Sequence, residues 1–74
     1  FSFSPSTIEI NVGDTVTWTN KESATHTVTS DSGTELSSSS LSKNEAYSHT
    51  FTTAGEYNYH CSFHTSMRGK VIVR

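Results

Sequence analysis

A period of two runs through the apolar residues of this chain from one end to the other. Ile8, Ile10 and Val12 keep step within 6–12, and Val16 and Trp18 alternate with threonines over 15–19. His26 and Val28 share a face of 26–29; Tyr47, His49 and Phe51 repeat the pattern over 47–52; Tyr57, Tyr59 and Cys61 repeat it again; and 70–74 closes with a β-rich run. Successive side chains of an extended strand leave on opposite faces, so runs of this kind, rich in Thr, Val and aromatics, predict half-buried strands. Turn signals fall between them at Gly13-Asp14, 20–23, Asp31-Ser32-Gly33 and Ala54-Gly55. The serine run 37–40 reads as a loop pinned by Leu36 and Leu41. No segment of useful length keeps a helical period. About seven short strands predict an all-β sandwich of two sheets. Without an internal repeat or boundary, residues 1–74 read as a single domain.

Such a domain has little to hold it together. It has 74 residues, of which 31% are hydrophobic, and a chain this size buries only about 60% of the surface its unfolded form exposes. Its one cysteine cannot pair within the chain, so a bound metal is a plausible staple. A net charge of −2 argues against a nucleic-acid partner, and no run is long and apolar enough to span a bilayer. The chain opens on Phe1, so a signal peptide or membrane anchor would lie upstream.

The chemistry concentrates in Cys61-Ser62-Phe63-His64-Thr65-Ser66-Met67. The only cysteine and the only methionine stand on one short loop with a histidine between them, at a Cys-x2-His-x2-Met spacing. One thiolate, imidazoles and a weak thioether make the ligand set of a mononuclear blue-copper electron-transfer site. His26, which opens an inward-facing strand, supplies the second imidazole from the opposite sheet. Alternation points Tyr57, Tyr59 and Cys61 inward, and Asn58 and His60 outward, so His60 faces away from the metal although it adjoins Cys61. Gly69 is expected to relieve backbone crowding where the chain re-enters the sheet. Less specific readings remain at this level: Cys61 as a small core hydrophobe, a zinc site from Cys61 and the histidines, or an adhesive sandwich without metal. His49 and His60 read as structural, and Trp18 and the tyrosines as core.

These residues also carry a resemblance. The stretch 45–61, from Glu45-Ala46-Tyr47 to Tyr59-His60-Cys61, is similar to the segment that leads into the copper cysteine of the cupredoxin family, most of all its amicyanin and plastocyanin branch. Met67-Arg68-Gly69-Lys70-Val71 continues the match. Gly13-Asp14-Thr15-Val16-Thr17-Trp18-Thr19-Asn20, with His26-Thr27-Val28, resembles the strand pair bearing the upstream histidine. The resemblance implies a Greek-key β-sandwich and one type 1 copper ion held by His26, Cys61, His64 and Met67. It implies a carrier of single electrons, not an enzyme, working between redox proteins of the cytochrome, dehydrogenase or oxidase type. His64 and Phe63 would form the surface where electrons enter and leave. It further implies an extracytoplasmic location, periplasmic or at the cell surface.

Departures from that pattern shape further expectations. Phe63, Thr65 and Ser66 stand where such loops carry prolines, which leaves Phe63 a backbone N–H that could aim at the Cys61 thiolate and raise the reduction potential. The polar Thr65 and Ser66 make the docking patch less apolar. Thr27 stands where asparagine is common; its amide can still reach Cys61, and its hydroxyl must take over a cross-loop hydrogen bond. The shortness of the chain at its N-terminal end predicts a more exposed copper. Together these departures give an alternative: a copper site with an open coordination position that reacts with a small molecule such as nitric oxide.

Overall fold

The computed structural model describes Phe3 and residues 6–74; the opening at Phe1 lies outside the described residues. The described residues form six strands: β1 (Thr7–Ile10), β2 (Thr15–Thr19), β3 (Thr29–Ser30), β4 (Ala46–Thr50), β5 (Gly55–His60) and β6 (Arg68–Val73). No helix occurs among the described residues. One sheet has the order β1-β6-β5-β3 and the other pairs β2 with β4. Only β1 and β6 run parallel, Ile8 opposite Val71 and Ile10 opposite Val73. The result is the expected two-sheet sandwich, with the serine loop held by bridges of Leu41 to His26 and of Ser37 to Thr29.

Alternation is realised strand by strand. In β2, Val16 and Trp18 are buried and the threonines between them exposed, while Thr15 and Thr17 bond across to Thr50 and Ser48 of β4 at 2.7 and 2.8 Å. The inward side chains meet in one core: Val16, Trp18, Val28, Leu36, Phe51, Tyr59, Val71 and Val73. Tyr59, fully buried, is its pivot, with the Phe3 and Trp18 rings packed edge-on at 4.8 and 5.4 Å. Leu36 and Leu41, 1% and 6% exposed, pin the serine loop as expected.

The structure corrects some sequence expectations. Val12 does not continue the first strand. A turn starts at Asn11, whose N–H is taken by the Asp14 carboxylate at 2.9 Å, and Gly13 at φ 96° completes it, leaving Val12 half exposed. The run 26–29 is mostly irregular: regular strand starts at Thr29, and His26 sits in a two-bond bridge to Leu41. Gly69 is needed for a different reason from the expected one. Paired with Tyr59 in the β5–β6 ladder, it has no room for a side chain, because a Cβ there would lie 2.4 Å from the Tyr59 ring.

Candidate metal centre

Each donor of the site is placed by a different device. Cys61 follows β5 directly and is fully buried; its N–H donates to the Met67 carbonyl at 3.0 Å, closing the loop between β5 and β6. Within that loop the Met67 N–H donates to the His64 carbonyl at 2.8 Å, a tight turn that folds the imidazole-bearing residue back over Cys61. His26 arrives on the irregular segment between β2 and β3, outside both sheets. Its N–H donates to the Leu41 carbonyl at 3.1 Å and its carbonyl accepts from the Leu41 N–H at 2.8 Å.

The three side chains converge. His26 Nδ1 lies 3.6 Å from Cys61 Sγ and His64 Nδ1 lies 3.8 Å from it; all three donor atoms fall within 4.8 Å of one another. His26 is 4% exposed, Met67 5%, Cys61 not at all, and His64 is partly exposed. A cavity of about 320 Å3, lined in part by Ile8, Trp18 and Tyr59, borders the site at His26 and Met67.

The sulfur sits in a field of donors. Burial acts to raise the Cys61 thiol, but it is outweighed by the Thr27 amide, the imidazoles of His64 and His26 and the His64 amide, which bring it down from 9.0 to about 6. A thiolate at neutral pH next to two unequally exposed imidazoles suits a metal of intermediate softness; the donor set of one sulfur and two nitrogens with a thioether nearby fits copper. The Thr27 N–H reaches Sγ at 3.5 Å. The second backbone donor is His64, one residue beyond Phe63, so the expected Phe63 N–H to sulfur contact is not the one made. Phe63 itself is 57% exposed beside His64.

The Thr27 hydroxyl does take over the cross-loop bond. It accepts the Ser62 N–H at 2.8 Å and meets the Thr29 hydroxyl at 3.1 Å, which in turn meets the Ser62 hydroxyl at 3.0 Å. The remaining histidines stand apart. His60 Nδ1 donates outward to Asp31 at 2.6 Å, and Arg68 shares that carboxylate at 3.0 Å. His49 pairs with Glu35 and packs edge-on against Phe51 at 4.7 Å.

Two residues around the site were not singled out by the sequence. The buried Asn20 side chain donates to the Ala24 and Leu41 carbonyls, both at 2.8 Å, and accepts the Glu22 N–H at 2.8 Å. Glu22 Oε1 accepts from His26 Nε2 at 2.7 Å. Asn20 was legible only as a turn residue. A Glu four residues before a His suggests contact in a helix, but this one makes it across an irregular turn.

Comparison with known proteins gives a consistent result. The family model of copper binding proteins of the plastocyanin/azurin family matches residues 1–74. Amicyanin of Paracoccus denitrificans is 47% identical over 70 residues, covering 89% of this chain and 53% of that protein. The chloroplastic plastocyanin of Tetradesmus obliquus is 38% identical over 84 residues, covering 97% of this chain and 58% of that protein. The chain therefore spans little more than half the length of these relatives. Among solved structures, a reduced amicyanin with a proline-to-phenylalanine substitution superposes with a TM-score of 0.91 at 44% identity, covering 99% of this chain and 73% of that one.

Proposed function

Because the chain belongs to the copper-binding plastocyanin/azurin family, we propose that residues 1–74 form one domain that holds a single copper ion and passes single electrons between redox partners. The observation that carries this reading is the convergence of His26 Nδ1, Cys61 Sγ and His64 Nδ1 within 4.8 Å around a thiol whose pKa is lowered to about 6. Those three atoms would hold the metal, with Met67, buried and three residues beyond His64, able to add a weak thioether donor. Bound copper supplies the Cu(II)/Cu(I) couple.

The chain's own residues supply rigidity and access. The Thr27 hydroxyl ties the His26 segment to Ser62, and the Cys61–Met67 bond closes the loop, so the donors resist rearrangement when the charge of the site changes. His64, partly exposed beside the outward ring of Phe63, is the proposed point of entry and exit. The partners are a donor and an acceptor of the cytochrome, dehydrogenase or oxidase type. The protein acts outside the cytoplasm, in a periplasm or at a cell surface, where copper is available and cytosolic thiols do not compete for it. No helix among the described residues is long and apolar enough to cross a membrane. Burial of Met67 gives the open-site reading no support.

The test is an optical and EPR spectrum after one equivalent of Cu(II). An intense thiolate-to-copper band with narrow copper hyperfine splitting is expected. A weak ordinary Cu(II) spectrum, or no binding, would remove Cys61 from the metal and the electron-transfer reading with it.

A further inference from the structure

An acidic side chain reaches the donor set from outside. Glu22 Oε1 lies 2.7 Å from His26 Nε2. A carboxylate only accepts, so Nε2 carries a hydrogen, and Nδ1, the nitrogen that faces Cys61 Sγ at 3.6 Å, is the one that gives up its hydrogen to offer a lone pair to a metal. The histidine side chain is 6% exposed and the glutamate 42%, so a solvent-facing carboxylate grips a buried ring. The grip is itself anchored, since the Glu22 N–H is held by the Asn20 side chain, which also clamps the Ala24 and Leu41 carbonyls. Leu41 is the residue bridged to the His26 backbone. Ring and backbone of His26 are thus positioned through the same buried amide.

Carboxylate pairing alone is not distinctive here. His60 pairs with Asp31 and His49 with Glu35, both on partly exposed rings that lie outside the donor cluster. His26 differs because its other nitrogen is turned to the cysteine sulfur in the interior.

We propose that Glu22 is a positioning residue for the bound metal: it holds His26 in the tautomer that coordinates through Nδ1, and its charge favours Cu(II) over Cu(I). This rests on the copper reading above. Outer partners of ligating histidines commonly change metal affinity by about 10–100-fold. The charge effect is screened by solvent at the half-exposed carboxylate and is expected to change the ratio of Cu(II) to Cu(I) affinity by about tenfold, which raises the potential by about 59 mV when the charge is lost.

Two variants of the full chain separate the hydrogen bond from the charge. Glu22→Gln keeps an oxygen able to accept from Nε2 and loses the charge; Glu22→Ala loses both. The tautomer is read by nitrogen NMR of the His26 ring in the copper-free protein, the affinity by competition for Cu(II), and the potential by voltammetry. Wild type and Glu22→Gln are expected to keep Nε2 protonated, so that any hydrogen lost from the ring leaves from Nδ1. Glu22→Ala should show a mixture and bind Cu(II) at least tenfold more weakly, and both variants should have raised potentials. A Glu22→Ala protein with wild-type tautomer and affinity within twofold overturns the positioning role, and an unchanged potential in Glu22→Gln overturns the role of the charge. Failure of the wild type to give the thiolate-to-copper band overturns the copper reading and this inference together. A blue wild type with unaltered variants overturns this inference alone.

Discussion

Replacing Gly69 by alanine should strike at the joint between core and metal loop. Gly69 stands opposite Tyr59 in the β5–β6 ladder, two residues after Met67. A Cβ built there would meet Tyr59 Cζ at 2.4 Å, Oη at 2.5 Å and Cε2 at 2.7 Å. Carbon atoms in contact sit about 3.5–4.0 Å apart, so either the ring or the strand must move by about an ångström. The ring is fully buried with Phe3 and Trp18 edge-on against it, and the cavity it borders is its only direction of retreat. The strand is tied on both sides, to β1 and to β5. Overpacking of a well-filled core costs about 1–3 kcal/mol, and this site belongs at the upper end because ring and ladder are both constrained. For a domain of this size each kcal/mol lowers Tm by roughly 4–8 °C, giving a fall of roughly 10–20 °C. The assay is thermal and urea unfolding of the metal-free protein. Tyr59→Phe serves as the companion variant: Tyr59 Oη makes no hydrogen bond of good geometry among the described residues beyond its approach to Trp18, so its removal alone should change stability by no more than about 1 kcal/mol. In the double variant the 2.5 Å clash disappears while the one at Cζ stays, so part of the loss should return. A Gly69→Ala protein melting within a few degrees of wild type would refute the reasoning, because it would show that the Tyr59 ring is free to yield.

Other outcomes follow from the same geometry. The Cys61 thiol is lowered in the folded chain from 9.0 to about 6, so its contribution to stability is complete above pH 9 and disappears as pH falls through 6. The metal-free protein, kept reduced, should therefore gain unfolding free energy between those values at up to about 1.4 kcal/mol per pH unit, and thiolate absorbance should titrate near 6; a midpoint near 9 would contradict the donor field around the sulfur. Thr27→Val keeps the amide that points at Cys61 but strips the acceptor from the Ser62 N–H, which should cost about 1 kcal/mol in urea unfolding. Asn20→Ala removes three hydrogen bonds around the Glu22 turn and should cost about 3 kcal/mol at about 1 kcal/mol each, with a weaker affinity for Cu(II) measured by competition. His60→Gln, altering a ring turned outward to Asp31, should leave the copper spectrum unchanged and stability within about 1 kcal/mol.

The strands were legible wherever alternation met a buried face. Val16 and Trp18 in β2, and Tyr59 leading into Cys61, needed only a period of two and a choice of sides, because the apolar residues mark the side. The reading failed where polar backbone chemistry outranks side-chain pattern. Val12 keeps step with Ile8 and Ile10, yet the Asp14 carboxylate captures the Asn11 N–H and turns the chain away before Val12 can be covered. His26 and Val28 are both buried, but so is Thr27 between them, so the run does not alternate; what holds it are a leucine bridge and the Ser38 hydroxyl, which accepts the Val28 N–H at 2.7 Å. Partners fifteen or ten residues away across a serine loop leave no periodic trace.

For the site, spacing was informative about the donors and silent about their support. Cys61, His64 and Met67 are close in sequence, so a short loop obliges them to be close in space, and His26 needed only to face inward. What holds them cannot be read that way. Phe63 stands two residues after Cys61, where its amide could aim at sulfur, but the loop amide that lowers the thiol is that of His64. Gly69 looked like a backbone adjustment and is instead the space for a tyrosine ring. Glu22 and Asn20 carry no metal-ligand chemistry of their own, so nothing in their identity marks them; they matter because an irregular turn happens to put a carboxylate on the far nitrogen of one ligand. The donors are encoded by residue type and spacing, whereas their orientation is encoded by hydrogen bonds between segments that only the fold brings together. On the proposed copper reading, substitutions at Thr27, Asn20 or Glu22 that preserve all four proposed donor residues are expected to shift the metal's affinity and potential.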